Sequence, residues 1–324
     1  MPRKVLVLGA NGFIGQRLVS ALQASDWASP VAGVRGAPAG ALREVEHRIV
    51  EATDESAVAQ ALSGMDAVVN CVAGKSSAIS QGARALFAAA ARASMPRIVH
   101  MSTMSVYGDA TGLVDETAPL RADQGDYAAA KISAESSAGG YPDCIILRPG
   151  LVYGPASPQW SIRIADFLTA HRLGDLGVNG DGRCNLVHVD DVVAAIMLGL
   201  QRTDMKSSIF NLSMPSPPSW NEYLTRYGRM LKATPIRRIS QRRLKIETKL
   251  AAPPLKILEL ALKAAKLGKV PLPAAMPPSL ARLMRQDITL DVSRAERDLG
   301  LRWKPLDAGL EETARWYLAR NRPG

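Results

Sequence analysis

Two side chains four residues apart open the chemistry of this chain: Tyr127 and Lys131, in the run Tyr127-Ala128-Ala129-Ala130-Lys131. On a helix that spacing puts both on one face. A lysine ammonium about 4 Å from a phenol, at an effective dielectric of about 20, stabilises the phenolate by roughly 4 kcal/mol. That is about three pKa units, enough to carry a phenol from about 10 towards neutrality. Such a tyrosine can take the proton of an alcohol whose carbon gives up hydride, or return it to a ketone. Taken alone the pair is equally an ordinary exposed helical Tyr/Lys. Its surroundings decide.

The first of those surroundings lies at the start of the chain. Gly9-Ala10-Asn11-Gly12-Phe13-Ile14-Gly15 follows the apolar run Val5-Leu6-Val7-Leu8 and opens a segment with helical periodicity at Phe13, Ile14, Leu18, Val19 and Leu22. This is the strand, glycine turn and helix of a dinucleotide-binding unit. Glycines are needed there because the turn is tight and the backbone must approach a pyrophosphate, whose charge sits on the helix N-terminus. At the end of the second predicted strand stands Val34-Arg35-Gly36, where an NAD-specific unit places an Asp or Glu for the ribose 2′-hydroxyl. Arginine pairs with a 2′-phosphate instead, so Arg35 favours NADP over NAD; a solvent-exposed arginine of no consequence is the plainer alternative. Asn70-Cys71-Val72-Ala73-Gly74 closes a later strand with small residues that let backbone and cofactor come close at Ala73.

A further strand, Arg97–Ser102, runs into Thr103-Met104-Ser105-Val106-Tyr107-Gly108. With these residues the chain resembles the extended short-chain dehydrogenase/reductase superfamily, the NAD-dependent epimerase/dehydratase group. The similarity includes the Gly-x-x-Gly-x-x-Gly turn, a Ser/Thr shortly before Val-Tyr-Gly, and Tyr-x-x-x-Lys two dozen residues later. Leu147–Pro155, His188-Val189-Asp190-Asp191-Val192 and Asp291–Gly300 extend it over nearly the whole chain, with residues 235–285 the least familiar. The resemblance implies that the hydroxyl of Thr103 bonds the reacting oxygen and that Tyr127 is the acid/base. It implies that Lys131 lowers the tyrosine pKa and holds the nicotinamide ribose. Glu51 stands where the family carries an Asp beside the adenine. The cofactor-binding set is thus Gly9, Gly12, Phe13, Ile14, Gly15, Arg35, Glu51, Ala73 and Lys131.

These residues must be positioned by alternating short apolar runs and helical segments. Strands are predicted at Lys4–Leu8, Pro30–Val34, His47–Val50, Ala67–Cys71, Arg97–Ser102 and Cys144–Leu147, and helices at Ala57–Leu62, Ala83–Arg92 and Tyr127–Ala138. The alternation predicts an α/β fold, a Rossmann-type doubly wound parallel sheet with a smaller C-terminal substrate-binding region. Residues 1–155 form the dinucleotide-binding domain. Residues 156–324, broken by proline clusters, are mainly substrate-binding, with segments near 186–200 and 209–211 returning to the sheet.

Composition agrees. The chain of 324 residues, 47% hydrophobic, can bury a sizeable core. No apolar run reaches the ~20 residues of a bilayer span. Met1-Pro2-Arg3-Lys4 passes straight into a strand, which leaves no room for a signal peptide. Cys71, Cys144 and Cys184 read as reduced thiols of a cytoplasmic protein, and no histidine shares metal-ligand spacing with them, so no metal is expected. The net charge of +10 is concentrated: residues 237–269 hold ten Lys or Arg against two Glu. Within that stretch a helix over 255–267 carries its polar residues at 256, 259, 263 and 266 in one stripe. It reads as a core helix with a solvated edge and at most weak contact between 237–269 and an anionic membrane surface; the alternative is an interfacial helix resting on such a surface, with Arg237 to Lys249 as its basic collar. Nucleic acid is excluded as a partner, since no aromatics interleave with the charges. The superfamily resemblance makes a homodimer plausible.

Departures from the family bear on the reaction. Nucleotide-sugar 4,6-dehydratases carry an Asp-Glu pair after the threonine, where this chain has Met104-Ser105, which argues against dehydration. Cys184 holds the place of the arginine that binds a substrate diphosphate in many epimerases, with Arg183 one residue early, and Leu151 lies near the place of a missing asparagine. The leading reading is an NAD(P)-dependent epimerase or ketoreductase acting on an alcohol or ketone carbon of a sugar or nucleotide sugar. One alternative is a 3-beta-hydroxysteroid-dehydrogenase-like enzyme for a hydrophobic alcohol. Another is a non-catalytic NADP-binding protein.

Overall fold

The computed structural model describes residues 2–93, 95–123, 125–202, 204–264 and 275–321. The chain divides into two compact units. The first comprises Met1–Val152, Val187–Pro215 and Leu290–Lys304, and the second Tyr153–Leu186, Ser216–Thr289 and Pro305–Gly324. Residues 290–304, left with the second region by the sequence, thus belong to the first.

Seven strands build the central sheet of the first unit: β1 (Arg3–Leu8), β2 (Ala28–Val34), β3 (His47–Ile49), β4 (Ala67–Asn70), β5 (Arg97–Met101), β6 (Cys144–Pro149) and β7 (Ser208–Leu212). They form one sheet in the order β7-β6-β5-β4-β1-β2-β3. Every pairing is parallel. Its helices are α1 (Phe13–Gln23), α2 (Glu55–Leu62), α3 (Ser76–Arg92), α4 (Asp126–Ser137) and α5 (Val189–Gln201). The strand order turns back between β1 and β4, which opens a crevice at the carboxyl ends of the strands.

Both faces of the sheet are buried, and β1 shows why its run is apolar throughout. Val5 and Val7 pack on one side with Leu18, Val19 and Leu22 of α1 and Ile196 and Leu200 of α5. Leu6 and Leu8 pack on the other side with Val58 and Leu62 of α2, Leu86 of α3 and Ala134 of α4. A strand covered on two faces has no solvent side for polar residues. Helix α2 is started by Asp54, whose carboxylate accepts the N–H groups of Ser56 and Ala57 at 2.8 and 3.2 Å. Helix α3 begins at Ser76, seven residues before the predicted Ala83. Its first turns are small and polar, and Ile79 is the one large buried side chain there, too little for periodicity to register.

The second unit is helical. Trp220–Met230, started by a Ser219 cap, buries Trp220, Tyr223 and Tyr227, the last two stacked at 5.8 Å. The Tyr317 hydroxyl donates to Asp166 at 2.6 Å, and Arg172 pairs with Glu247 at 2.5 Å. Gln241–Lys245, Ile246–Ala251 and Ala252–Ala264 run on as consecutive helical segments. Residues 265–267 of the predicted helix, and the side chains at 256, 259, 263 and 266, lie outside the described residues. Of the described leucines and isoleucines in the predicted helix, Leu255 and Leu262 are half-buried, as a core helix requires, whereas Ile257 and Leu258 are exposed; Ile246 and Leu250 just before it are exposed as well, Leu250 by 69%. Among the described residues, no helix is long and apolar enough to cross a membrane.

Candidate active site

The glycine turn closes β1. Gly9 sits at φ +80°, and a Cβ there would lie 2.9 Å from the Cys71 carbonyl oxygen at the end of β4. A Cβ on Gly15 would come within 2.4 Å of the Gly9 carbonyl oxygen. Substitution at either forces backbone apart. The Gly12 N–H donates to the Gly9 carbonyl at 2.9 Å and tightens the turn. Phe13 and Ile14 begin α1, whose first turn holds no acidic residue and whose N-cap, Gly12, carries no side-chain cap. An uncapped helix start surrounded by glycine backbone suits an anion.

A cleft of about 430 Å³ runs from this turn along the strand ends, lined by Gly9, Asn11, Gly12, Arg35, Glu51 and Ala73 among others. Arg35 is exposed on its rim. Glu51 is anchored by Thr53, whose N–H and hydroxyl donate to its carboxylate at 3.3 and 3.0 Å. Asn11 accepts from the Ala39 N–H at 2.9 Å and donates to the Ala37 carbonyl at 3.2 Å, fixing the loop after Arg35. Glycines that a Cβ would block, an uncapped helix start and a cleft of this size fit a dinucleotide.

Thr103 follows β5 in extended conformation, and its oxygen caps the turn Met104–Tyr107 by accepting the Ser105 N–H at 3.2 Å. Tyr127 lies in the first turn of α4. Its ring is 44% exposed, yet burial around the hydroxyl raises the phenol above its ordinary value, opposed by a hydrogen bond with Thr103. Lys131, one turn deeper and buried, donates from Nζ to the Met101 carbonyl at 2.6 Å. Burial lowers its pKa to about 8 against the pull of Cys71 and Glu135.

The Lys131 ammonium is thus anchored at the end of β5, and desolvation holds the Tyr127 phenol above its ordinary value.

Beneath the pair lies a polar network that the spacing argument missed. Glu135, one turn after Lys131, accepts from Arg148 Nε at 3.0 Å and Nη2 at 2.6 Å, and from the Ser102 hydroxyl. Arg148 also donates to the Tyr107 hydroxyl at 2.9 Å, and that hydroxyl donates to Asn211 at 2.6 Å. The side chains of Arg148 and Glu135 are 3% and 5% exposed. The signal was present: 127, 131 and 135 recur every four residues on one helix face. Asn70 joins from the other side, accepting the Val72 N–H at 3.1 Å and meeting His100 Nδ1 at 3.1 Å. Burial, with Lys131 adding to it, lowers His100 to about 3, so the ring is neutral.

The His188-Val189-Asp190-Asp191 motif resolves as a tie. His188 caps α5, Asp190 accepts from Arg17 at 3.1 Å and Lys304 at 2.8 Å, and Asp191 accepts the Lys304 N–H at 3.1 Å. In the second unit Cys184 is buried, with burial holding its thiol well above the ordinary value, and Arg183 is exposed.

The sequence profile of the NAD dependent epimerase/dehydratase family matches residues 5–213, from β1 through β7. The chain belongs to that family. Among curated relatives, Protein YeeZ of Escherichia coli K12 is 27% identical over 252 residues, covering 72% of this chain and 85% of its own. Two solved structures share the fold of this family member. dTDP-glucose 4,6-dehydratase from Bacillus anthracis, in complex with NAD, superposes with a TM-score of 0.73 at 18% identity, over 98% of this chain and 97% of that one. UDP-glucuronic acid 4-epimerase from Bacillus cereus, in complex with UDP-glucuronic acid and NAD, gives a TM-score of 0.72 at 18% identity, over 98% and 99%.

Proposed function

We propose that this family member is a nicotinamide-dependent enzyme that interconverts an alcohol and a ketone on a sugar or nucleotide sugar, by epimerisation or net oxidation and reduction, with NADP favoured over NAD. The observation that carries the reading is the glycine-lined cleft that fits a dinucleotide, one lining residue of which, Cys71, lies within electrostatic reach of Lys131, one turn below Tyr127 on α4. In this reading the Gly9–Gly15 turn and the start of α1 hold the pyrophosphate, Arg35 meets a 2′-phosphate, Glu51 borders the adenine, and Ala73 leaves room beside the nicotinamide half. Lys131 holds the ribose hydroxyls. The bound nicotinamide supplies or takes the hydride.

The chain's own residues then handle the proton. Thr103 donates to the substrate oxygen and fixes it against Tyr127. Tyr127 takes the proton from an alcohol or returns it to a carbonyl. Its desolvated hydroxyl starts as a protonated donor, which suits the carbonyl-reducing direction; charge brought close by bound ligand would ease the reverse. Met104 and Ser105 supply no carboxyl group beside Thr103, so elimination of water has no acid or base there. A second reading, a hydrophobic alcohol as substrate, is favoured by the exposed apolar row Ile246, Leu250, Ile257 and Leu258.

The test is a substrate screen: nucleotide sugars, sterols and long-chain hydroxy acids with each dinucleotide, followed by NADPH absorbance and by product analysis for redox-neutral epimerisation. Turnover of a nucleotide sugar is expected. Turnover confined to sterols or hydroxy acids would replace the first reading by the second.

A further inference from the structure

Between Gln241 and Ala264, four of the described large aliphatic side chains are exposed. Leu244 and Thr248, four apart, are buried, and Leu255 is half-buried in the same row. Ile246, Leu250, Ile257 and Leu258 of the same stretch are all exposed. Single exposed leucines are ordinary; a row of large aliphatics along one stretch marks a contact surface.

Charge says what it contacts. Residues 237–250 contain Arg237, Arg238, Arg242, Arg243, Lys245 and Lys249 against a single acid, Glu247. Glu247 is neutralised by Arg172, which pairs with it at 2.5 Å. Arg238 is likewise spent on Asp175 at 2.7 Å. Arg243 donates to the His171 carbonyl at 3.0 Å, a neutral partner, and makes no ion pair among the described residues. Arg242, Arg243 and Lys249 are all exposed. An aliphatic strip edged by basic side chains matches the interior-to-headgroup boundary of an anionic bilayer. A partner protein would have to offer an apolar groove rimmed by acids, and a second copy of this chain would set basic rim against basic rim.

We infer that the face formed by Ile246, Leu250, Ile257 and Leu258, with Arg242, Arg243, Lys245 and Lys249 around it, docks the protein on an anionic phospholipid surface. The aliphatic side chains enter the headgroup layer and the basic side chains meet lipid phosphates. The docking needs no dinucleotide and no particular substrate, so it stands apart from the assignment of the active site.

The full-length protein is sedimented with vesicles of phosphatidylglycerol and phosphatidylcholine, and with phosphatidylcholine alone, at low salt and at about 0.5 M salt, where screening shortens to a few ångströms. Binding to the anionic vesicles at low salt is expected, with strong loss at high salt and on neutral lipid. Neutralising Arg242→Gln, Arg243→Gln, Lys245→Gln and Lys249→Gln should weaken it by about fivefold for each charge that reaches the surface. Ile246→Asp with Leu250→Asp should abolish it; both positions are exposed, and an unchanged circular dichroism spectrum verifies the fold. Absence of binding at low salt, equal binding to neutral vesicles, or full binding by the four-site variant overturns the inference. It is equally overturned by a dimer in sizing chromatography that Ile246→Asp with Leu250→Asp dissociates, since the face would then join two copies.

Discussion

Two helical regions break the usual sorting of side chains in opposite ways. In the first unit, α4 buries charge: Lys131 and Glu135 are inside, tied to Met101, Arg148 and Ser102. In the second unit, the stretch from Gln241 exposes aliphatics: Ile246, Leu250, Ile257 and Leu258 face out. Each arrangement costs free energy that an ordinary amphipathic helix does not spend. The lesson is that violations of the inside-outside rule are the best guide to function in this molecule. In the proposed reading, buried charge prepares proton chemistry and exposed apolar surface prepares contact.

Breaking the α4 side of this contrast should have the largest effect on stability. Glu135→Gln leaves the Arg148 guanidinium buried without its counter-charge, and a loss of about 3–5 kcal/mol in urea unfolding is expected. Next comes the titration of Lys131. Its folded pKa of about 8 lies below the ordinary 10.5, so between those values the unfolded chain holds more protons and stability contributed by this residue rises with pH. Relative to Lys131→Met, the wild type should therefore gain up to about 3 kcal/mol as pH climbs through that window, measured by paired unfolding curves. A flat gap would place the ammonium in water, and one that shrinks with pH would mean that a partner raises its pKa instead.

Smaller still is the effect at the cleft rim. Arg35→Ala should weaken NADPH by about tenfold and leave NADH nearly unchanged, in fluorescence titration with each dinucleotide. A preference for NADH that survives the substitution would end the argument for NADP. Smallest is Leu250→Gln, which removes an exposed aliphatic and should move stability by no more than about 0.5 kcal/mol. If it cost as much as Glu135→Gln, the two regions would not differ in the way described.

Much of the first unit was legible because its signals are local. The glycine turn needs particular backbone freedom at 9 and 15, the strands are apolar on both faces, and Tyr127 and Lys131 are linked by helix geometry alone. What escaped was tertiary. Glu135 meets Arg148 across 13 residues, and Tyr107 meets Asn211 across 104, so no spacing rule connects them. The direction of the Lys131 side chain depended on where the Met101 carbonyl ends β5, which no spacing rule on α4 contains. Of the stretch from Gln241 only residues 255–267 were recognisable as an amphipathic helix, and periodicity states only that two faces differ. Which face meets protein is decided by what packs there, and Leu244 with Thr248 won that contact.

The central claim is that the buried polar face of α4 holds Tyr127 as the proton donor and acceptor of a nicotinamide enzyme. Tyr127→Phe tests it most directly, because it removes one hydroxyl and almost no volume. With a substrate found by the screen, turnover should fall by about 10²- to 10⁴-fold while dinucleotide affinity, read by fluorescence titration, changes by less than about twofold. Wild-type kcat in Tyr127→Phe would contradict the account.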